Sequence, residues 1–219
     1  MSEITPDTIT FSGSVAYGSA EEVLDVLSDL KEIDSFDRFN NQAVDLEAEE
    51  PVIAFSNQVS DEYQNALTIQ SVPSPEQLPE EPTGMEEDWD SEEFELDTLA
   101  VGVTFVYEQI DVLISILEDI LDVIESINIQ QFYFGLSLEE GFDNLSTISS
   151  LNAETEFDLS GVQFEHQNYL YSFQESDEGT EVYAVFGDDE KIDKESVEDF
   201  IQQCLEDVAP VIEKICHEE

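Results

Sequence analysis

Two segments of the chain alternate hydrophobic and polar residues with a period of two, which is the pattern of a half-buried β-strand. In the first segment the hydrophobic positions are Ile9, Phe11, Val15 and Tyr17, and the polar positions are Thr8, Thr10, Ser12 and Ser14. In the second segment the hydrophobic positions are Leu99, Val101, Val103, Phe105 and Tyr107. Each segment therefore predicts a strand with one face in a core and a tyrosine at its end.

An amphipathic helix is predicted after each of these strands. Hydrophobic residues recur three or four positions apart, first at Val23, Val26, Leu27, Leu30 and Ile33, then at Leu113, Ile116, Leu117, Ile120 and Val123. The second helix is apolar around more than half of its circumference. We therefore expect it to pack on more than one side, between a sheet and either the C-terminal helix or a partner subunit. Return strands are predicted at 44–48 and 132–138.

The two β-α-β patterns align without a gap when the chain is shifted by ninety residues. Residues 7–51 then match residues 97–141 in the order and parity of their elements, although few aligned residues are identical. We interpret this as an internal duplication, and coincidence between two ordinary β-α-β segments is the alternative. The predicted fold class is α+β, an antiparallel sheet with helices packed on one face and a repeated β-α-β(β) unit.

The C-terminal third predicts a three-stranded meander followed by a helix. Apolar alternation covers 162–164, 169–173 and 182–186, with turns at 166–168 and 176–179. In the helix, we expect Ser196 to be the N-cap and Pro210 to cause a kink or an interruption.

A linker separates the two predicted repeats. Four prolines lie between residues 73 and 82, and ten of the eighteen residues from 80 to 97 are acidic. This composition predicts an extended connection over 73–96. The predicted organisation is a first repeat over 1–72, the linker, and a second repeat with the meander and the helix over 97–219.

Charge changes this picture, because 55 Asp and Glu stand against five Lys and Arg, for a formal charge of −50. The acids are spread over every element, so neighbouring carboxylates repel each other. At ~0.1 M salt this repulsion acts over a Debye length of about 10 Å, and at ~1 M salt the Debye length is much shorter and the repulsion much weaker. This composition resembles that of cytoplasmic proteins from halophiles that keep molar salt inside. We therefore predict a soluble, cytoplasmic, salt-dependent protein coated with hydrated monovalent cations. Without a long apolar run or a signal-like segment, we expect no membrane association.

The sequence lacks the residue patterns of common catalytic centres. The two histidines, His166 and His217, lie in a predicted turn and near the C-terminal end, and no glycine-rich phosphate loop is present. Cys204 and Cys216 are about 18 Å apart on one helix, too far for a disulfide, so we interpret them as buried or half-buried thiols. We predict no enzymatic activity, no catalytic residue, no metal and no cofactor, and we interpret the acids at 188–190 as a solvated turn.

Five residues are candidates for binding. Arg38 is the sole arginine and lies between Phe36 and Phe39. It either contacts a partner carboxylate or braces the fold, through an internal salt bridge or the C-terminal dipole of the preceding helix. The other four candidates, which either line a concave pocket or belong to the core, are Tyr17, Tyr107, Tyr169 and Tyr171.

These observations favour a non-enzymatic binding or scaffold protein adapted to high salt, whose partner is another protein. We expect the sheet to present aromatic residues on an exposed or half-exposed face. One alternative is a DNA mimic that blocks a nucleic-acid-binding protein, for which the acidic run at 80–97 is the only dense candidate. Another is an α+β cup for a small ligand. Direct nucleic-acid binding is disfavoured, because two acidic surfaces would need bridging cations. The oligomeric state stays open.

Overall fold

Strands dominate the computed structural model, which describes residues 6–60, 63–74, 77, 94–138, 150–151, 155–157, 161–176, 179–187 and 190–216. In chain order the elements are β1 (Thr8–Ala16), α1 (Ala20–Leu30), β2 (Asn41–Asp45), β3 (Val52–Gln58), β4 (Gln64–Val72), β5 (Thr98–Val106), α2 (Ile110–Ile124), β6 (Ser126–Leu138), β7 (Thr155–Phe157), β8 (Gly161–His166), β9 (Tyr169–Ser176), β10 (Gly179–Phe186), β11 (Lys191–Asp193) and α3 (Val197–Cys216). Short 3-10 helices at Asp34–Arg38 and Tyr107–Gln109 follow α1 and precede α2.

All described strands join one antiparallel sheet. Their order is β2-β3-β4-β5-β1-β6-β10-β9-β8-β7, and β11 pairs with one end of β6. The three helices cover one face, because the buried residues of successive strands share one parity and form a single hydrophobic core with α1, α2 and α3. The predicted α+β class, with helices on one face of an antiparallel sheet, is confirmed.

The parity predicted for β1 and β5 is confirmed. Ile9 and Phe11 are fully buried under the helices, and so are the four predicted apolar positions of β5 from Leu99 to Phe105. Helix α2 lies between the sheet and the other helices, since it contacts β5 and β6 on one side and α1 and α3 on the other. It therefore packs on more than one side, as its wide apolar surface predicts.

The ninety-residue duplication is not confirmed. In its favour, Ser12 pairs with Gly102, which is ninety residues later, and α1 and α2 start at Ala20 and Ile110 on the same side of the sheet. The strands after the two helices, however, take different positions. β2 is an edge strand that pairs with β3, whereas β6 pairs with β1 on one side and β10 on the other.

Both predicted repeats contribute to the centre of the sheet, where β4 pairs with β5 along seven residues. Two buried polar side chains of β4 hold the ends of this pair. Asn65 Oδ1 accepts a hydrogen bond of 3.0 Å from Val106 N, and Asn65 Nδ2 donates to Gln109 Oε1 at 2.5 Å. At the other end, Ser71 Oγ donates to Leu96 O at 2.9 Å. The domain boundaries at 72/73 and 96/97 stay predictions, and the strands on either side of them share one sheet.

Some local predictions differ from the structure. The first return strand covers 41–45 rather than 44–48, and β6 starts at Ser126, six residues before the predicted strand. The β3–β4 hairpin was not predicted at all. Pro210 lies inside α3, which continues to Cys216, so the predicted interruption is wrong. Because the missing N–H of proline removes one helical bond and not the whole ladder, packing on both sides of Pro210 is sufficient to continue the helix.

The meander over β8, β9 and β10 is confirmed, with a two-residue turn at Gln167–Asn168. Gln167 has φ of 58°, as a tight hairpin turn requires at this position. Ser196 precedes the first residue of α3, and its hydroxyl donates to Asp193 Oδ1 at 2.8 Å. Among the described residues, no helix is long and apolar enough to cross a membrane.

Candidate binding surfaces

The sheet face opposite the helices is uncharged across the five central strands. Three rows of directly paired residues cross β3, β4, β5, β1 and β6 on this face. The first row is Val52, Gln70, Ala100, Ser14 and Asn128; the second is Ala54, Thr68, Gly102, Ser12 and Gln131; the third is Ser56, Ala66, Thr104, Thr10 and Tyr133. We call these fifteen residues the neutral face.

Every residue of the neutral face is at least partly accessible, because each is half-buried or exposed. The side chains are mostly small, so few of them project far from the strands. Hydroxyl groups also contact each other across strands, and Thr10 Oγ1 lies 3.0 Å from Thr104 Oγ1. The neutral face is therefore a surface of hydroxyl, amide and methyl groups.

The absence of charge from this surface is unusual for this chain. Charged residues make up 27% of the sequence, so about four of fifteen accessible positions would carry a charge if charges were placed at random. None does. In the third row, the pairing continues beyond Tyr133 through Val185 and Leu170, and the first carboxylate is on Glu165, three strands beyond β6.

The dimensions of the neutral face match the contact area of a protein. Five strands at about 4.8 Å spacing and three rows about 6.8 Å apart cover roughly 500 Å². A standard protein interface buries about 800 Å² per partner, and transient interfaces bury less. The neutral face alone lies at the small end of this range.

A cleft of about 390 Å³ lies on the helical side of the sheet, between α3 and the adjoining ends of β9, β10 and β11. We call it the α3 cleft. Three aromatic side chains that touch in series line it: the ring centroids of Tyr169 and Phe186 are 5.6 Å apart, and those of Phe186 and Phe200 are also 5.6 Å apart. Ile192 and Cys204 complete the apolar lining.

The charged groups of the α3 cleft are mostly carboxylates. Among the described residues, Glu190, Asp199 and Asp207 line it together with a single cation, Lys191, and its uncharged polar side chains include Asn168, Ser196 and Gln203. Burial first, and then a hydrogen bond with Cys204, raise the pKa of Tyr169, which fits a phenol that donates to the thiol. Burial raises the pKa of Cys204 to about 11, with smaller contributions from Asp207 and Glu190. The phenol and the thiol are therefore neutral at physiological pH.

The predicted binding tyrosines lie in different places. Tyr169 lines the α3 cleft, and Tyr171 is fully buried in the core beside Phe164, with ring centroids 4.9 Å apart. Tyr17 and Tyr107 are half-buried at opposite ends of the β1–β5 pair, because Tyr17 N donates to Asp97 O and Tyr107 N donates to Asp7 O. The four tyrosines do not form one pocket.

The aromatic residues of β9 do not form the aromatic surface predicted for the sheet, and the half-buried aromatic residues on the outer face of β6 and β10 are Tyr133 and Tyr183. Tyr169, Tyr171 and Phe173 belong to the helix-covered face, because their parity in β9 points them towards the core. Their large apolar area is more favourably buried against α3 and the neighbouring strands than left in water.

Arg38 is exposed at the end of the 3-10 helix after α1. Its backbone carbonyl accepts a hydrogen bond of 2.9 Å from Asn57 Nδ2. Within the described residues its guanidinium makes no ion pair; the two ion pairs found there join Lys31 with Glu32 and Lys194 with Asp122. The internal salt bridge is therefore not seen, and the partner contact and the helix-dipole role stay predictions.

No metal-binding group was found in the part of the chain that the structure describes, where no cluster of three His, Cys, Asp or Glu side chains could hold an ion. Asp188, Asp189 and His217 lie outside the described residues, as does most of the acidic run at 80–97. Cys204 is buried and free, as predicted.

Comparisons with known proteins add no family. No protein-family model matches the chain, and no curated protein matches it. Among solved structures, the chain is similar to the di-domain ARO/CYC StfQ from the steffimycin biosynthetic pathway, with 9% identity and a TM-score of 0.18 over 80% of this chain and 82% of that one. A TM-score this low supports no inference about fold or activity.

Proposed function

We propose that this chain is a non-enzymatic protein-binding module that works in concentrated salt and docks a partner protein on the neutral face. The observation that carries the proposal is an uncharged and accessible surface on the sheet of a protein with a formal charge of −50. The fold does not require this composition, because glutamate is tolerated on the solvent face of a strand elsewhere in the sheet, as Glu165 and Glu181 show.

The charge distribution favours one kind of partner. In molar salt, partners with the same adaptation are acidic, and two acidic surfaces gain nothing from approaching each other. An uncharged surface avoids this cost, and concentrated salt does not weaken contacts between methyl, hydroxyl and amide groups by screening. We therefore propose that the partner is another acidic protein that contributes a flat, uncharged surface of similar size.

A charge placed in the middle of the neutral face tests this proposal. Thr68 lies in the central row, and within the described part of the chain its side chain makes no hydrogen bond that would be lost on substitution. We expect Thr68→Glu to abolish retention of the partner on immobilised protein in 2 M KCl. The matched control is Gln202→Glu, which adds the same charge on the exposed side of α3 and should retain the same partner as the unmodified protein.

Two outcomes would contradict the proposal. Retention of the partner by the Thr68→Glu protein, when its melting temperature equals that of the control, would exclude the neutral face as the docking surface. A doubled mass of the purified protein in light scattering, lost in Thr68→Glu, would show that a second copy of the chain occupies the face instead of a different protein.

The proposed adaptation to salt has its own test. We expect the melting temperature to rise steeply from millimolar buffer to 2 M KCl, because screening removes repulsion among the carboxylates. An equal melting temperature in both solutions would reject the adaptation and would favour a dedicated recognition role for the acids, such as the DNA mimicry considered above.

A further inference from the structure

The edge of the sheet at β2 has few of the features that stop strands of different molecules from pairing. An edge strand presents unpaired backbone N–H and C=O groups, and proteins commonly protect it with charged residues, with proline or by making it very short. In β2 the first four residues are Asn, Gln, Ala and Val, and the only charge is on Asp45, at its last position. The opposite edge strand, β7, is three residues long and has Glu156 at its centre. β2 is therefore the edge to which another strand can be added.

The side chains of β2 are open to solvent on both faces of the sheet. All five residues are exposed, including Gln42 and Val44, whose parity places them on the helix-covered face. Val44 is 46% exposed, more than any other large hydrophobic residue in the described part of the chain. A further strand beside β2 would bury part of Val44 and would pair the outward backbone groups.

The two ends of β2 complement each other when two copies of the strand run antiparallel. With Ala43 opposite Ala43 of a second copy, all five residues pair, and Asn41 lies opposite Asp45. The Asn41 amide can donate to the carboxylate of Asp45, which within one chain accepts a hydrogen bond of 3.2 Å from Glu47 N. Because the arrangement has two-fold symmetry, this contact forms twice.

The same alignment gives Arg38 a partner. The chain from Arg38 to Asn40 continues along the edge beside β3, because Asn57 Nδ2 donates to Arg38 O at 2.9 Å and Asn57 Oδ1 accepts from Asn40 N at 2.5 Å. In the antiparallel pair, this end of one β2 lies beside the segment that follows β2 in the second copy, where Glu47 is exposed. Arg38 is exposed and makes no ion pair among the described residues, so its guanidinium is available to that carboxylate.

We propose that two copies of this chain pair through β2 in concentrated salt, antiparallel and with Ala43 on the two-fold axis. The axis is perpendicular to the sheet, so the two sheets become one and both neutral faces lie on the same side of it. With the two β2 strands, the joined outer surface covers roughly 1,200 Å², compared with about 800 Å² per partner in a standard protein interface. Asp45 of each copy is the only charged residue on it. The pairing does not rest on the proposed docking function, but it would enlarge the surface on which a partner docks.

Sedimentation equilibrium in 2 M KCl measures the pairing. We expect a monomer–dimer equilibrium with a dissociation constant of about 10–100 µM, because five paired residues form a small interface. Concentrated salt is needed because it screens the repulsion between two chains that each carry a formal charge of −50. Thr68→Glu should dimerise as the unmodified protein does, which separates this pairing from docking on the neutral face.

A cysteine scan of β2 tests the alignment, in a Cys216→Ser background because Cys204 is buried. Ala43→Cys places two thiols directly opposite each other, with Cα atoms about 4.5–5.5 Å apart, which is within the range of a disulfide. We expect this variant to become mostly covalent dimer under mild oxidation in 2 M KCl.

Gln42→Cys and Val44→Cys are the matched controls. Each new thiol would lie two residues out of register with its own copy, more than about 7 Å away, so each variant alone should cross-link roughly fivefold less than Ala43→Cys. A mixture of the two controls should cross-link, because Gln42 lies opposite Val44 of the second copy. The melting temperature of each variant identifies any variant that has lost its fold.

Three results would overturn the proposal. The first is a monomeric mass in 2 M KCl up to about 500 µM protein, which would assign the edge to a strand of a different protein or to another segment of this chain. The second is equal cross-linking of Ala43→Cys, Gln42→Cys and Val44→Cys. The third is a dimer that is lost in Thr68→Glu, which would place the second copy on the neutral face instead of at the edge.

Discussion

The two faces of the central sheet are built from alternate residues of the same strands, yet they differ in almost every property. On the helix-covered face, β1 contributes Ile9 and Phe11, which are fully buried. On the neutral face, it contributes Thr10 and Ser12, which are half-buried and uncharged. The covered face supplies the apolar area that stabilises the fold, while the acidic coat surrounds the other face without entering it. This difference shows that packing of the core does not determine the composition of the neutral face. We therefore explain that composition by the partner that the neutral face contacts.

The largest expected effect compares two neighbouring residues of β1. Phe11→Ala should lower the free energy of unfolding by about 3–5 kcal/mol, because it opens a cavity in the core. Thr10→Ala should lower it by less than about 1 kcal/mol, because it removes one half-exposed hydroxyl contact with Thr104. Denaturant unfolding in 2 M KCl measures both values. Similar losses in the two variants would break the distinction between the faces.

The second prediction concerns a polar residue on the covered face. Asn65→Ala should cost about 2–3 kcal/mol, because it leaves Val106 N and the Gln109 side chain without their partner in a buried site. Asn57 pairs with Asn65 across the β3–β4 hairpin and also makes two side-chain hydrogen bonds, with Arg38 O and Asn40 N, but in a half-buried site that water can reach. Asn57→Ala is therefore the control, with a loss of about 1 kcal/mol. A smaller loss for Asn65→Ala than for Asn57→Ala, from the same unfolding curves, would contradict the assignment.

Two glycines, one on each face of the sheet, differ in the space available for a Cβ atom. A Cβ atom at Gly13 would lie 2.4 Å from Ile127 Cγ2 and 2.8 Å from Asn128 O, so Gly13→Ala should destabilise the protein by about 1–3 kcal/mol. At Gly102, on the neutral face, the nearest atom to a new Cβ is Thr68 O at 4.0 Å. Gly102→Ala should therefore be neutral or stabilise by less than about 1 kcal/mol. In thermal melts, Gly13→Ala should lower the melting temperature, whereas Gly102→Ala should leave it unchanged or raise it; a similar decrease in both variants would contradict this account.

The smallest predicted effect is on the pH dependence of stability, and it comes from groups buried on the helix-covered face. The pKa of Cys204 rises from 9.0 to about 11 on folding, so the unfolded chain loses this proton first as pH increases. Its contribution to stability is complete below pH 9 and is lost as pH rises towards 11, with roughly 1 kcal/mol gone at pH 10. Burial also raises the pKa of Tyr169 and Tyr171, so their effect has the same sign at higher pH.

The measurement for the thiol is the change in unfolding free energy between pH 8 and pH 10. Cys204→Ala should reduce that change, whatever its effect on stability at pH 8. The same slope before and after substitution would show that the thiol does not contribute. Thr10→Ala, on the neutral face, should leave the slope unaltered.

The strands β1 and β5, the helices and the meander could be predicted because their signals are local. The alternation from Ile9 to Tyr17 fixes which side chains face a core, and the turn at 166–168 fixes the pairing of β8 with β9. The neighbours of β1 and β5 could not be predicted in this way. Placing β4 beside β5 and β6 beside β1 depends on packing between residues far apart in sequence, as in the pairing of Thr8 with Gly135.

The neutral face and the α3 cleft differ in how well they could be predicted from the sequence. Outward positions such as Thr68, Gly102 and Ser12 lack charge in each strand separately, so reading the charges by parity would have indicated the neutral face before its strands were placed side by side. The α3 cleft has no such signal. Its aromatic lining joins Tyr169, Phe186 and Phe200, which come from two strands and a helix and have no common spacing.

The position of β1 between β5 and β6 has a consequence for biosynthesis. The strand leaves the ribosome before its hydrogen-bonding partners, which are residues 98–106 and 128–135. Until those residues are synthesised, Ile9 and Phe11 have no sheet to enter, and such long-range pairing is slow to form. During this interval, the apolar side chains of β1 stay exposed, and concentrated salt would screen any repulsion between carboxylates that could keep nascent chains apart. The central place of β1 in the sheet therefore prolongs the period in which the growing chain is open to aggregation.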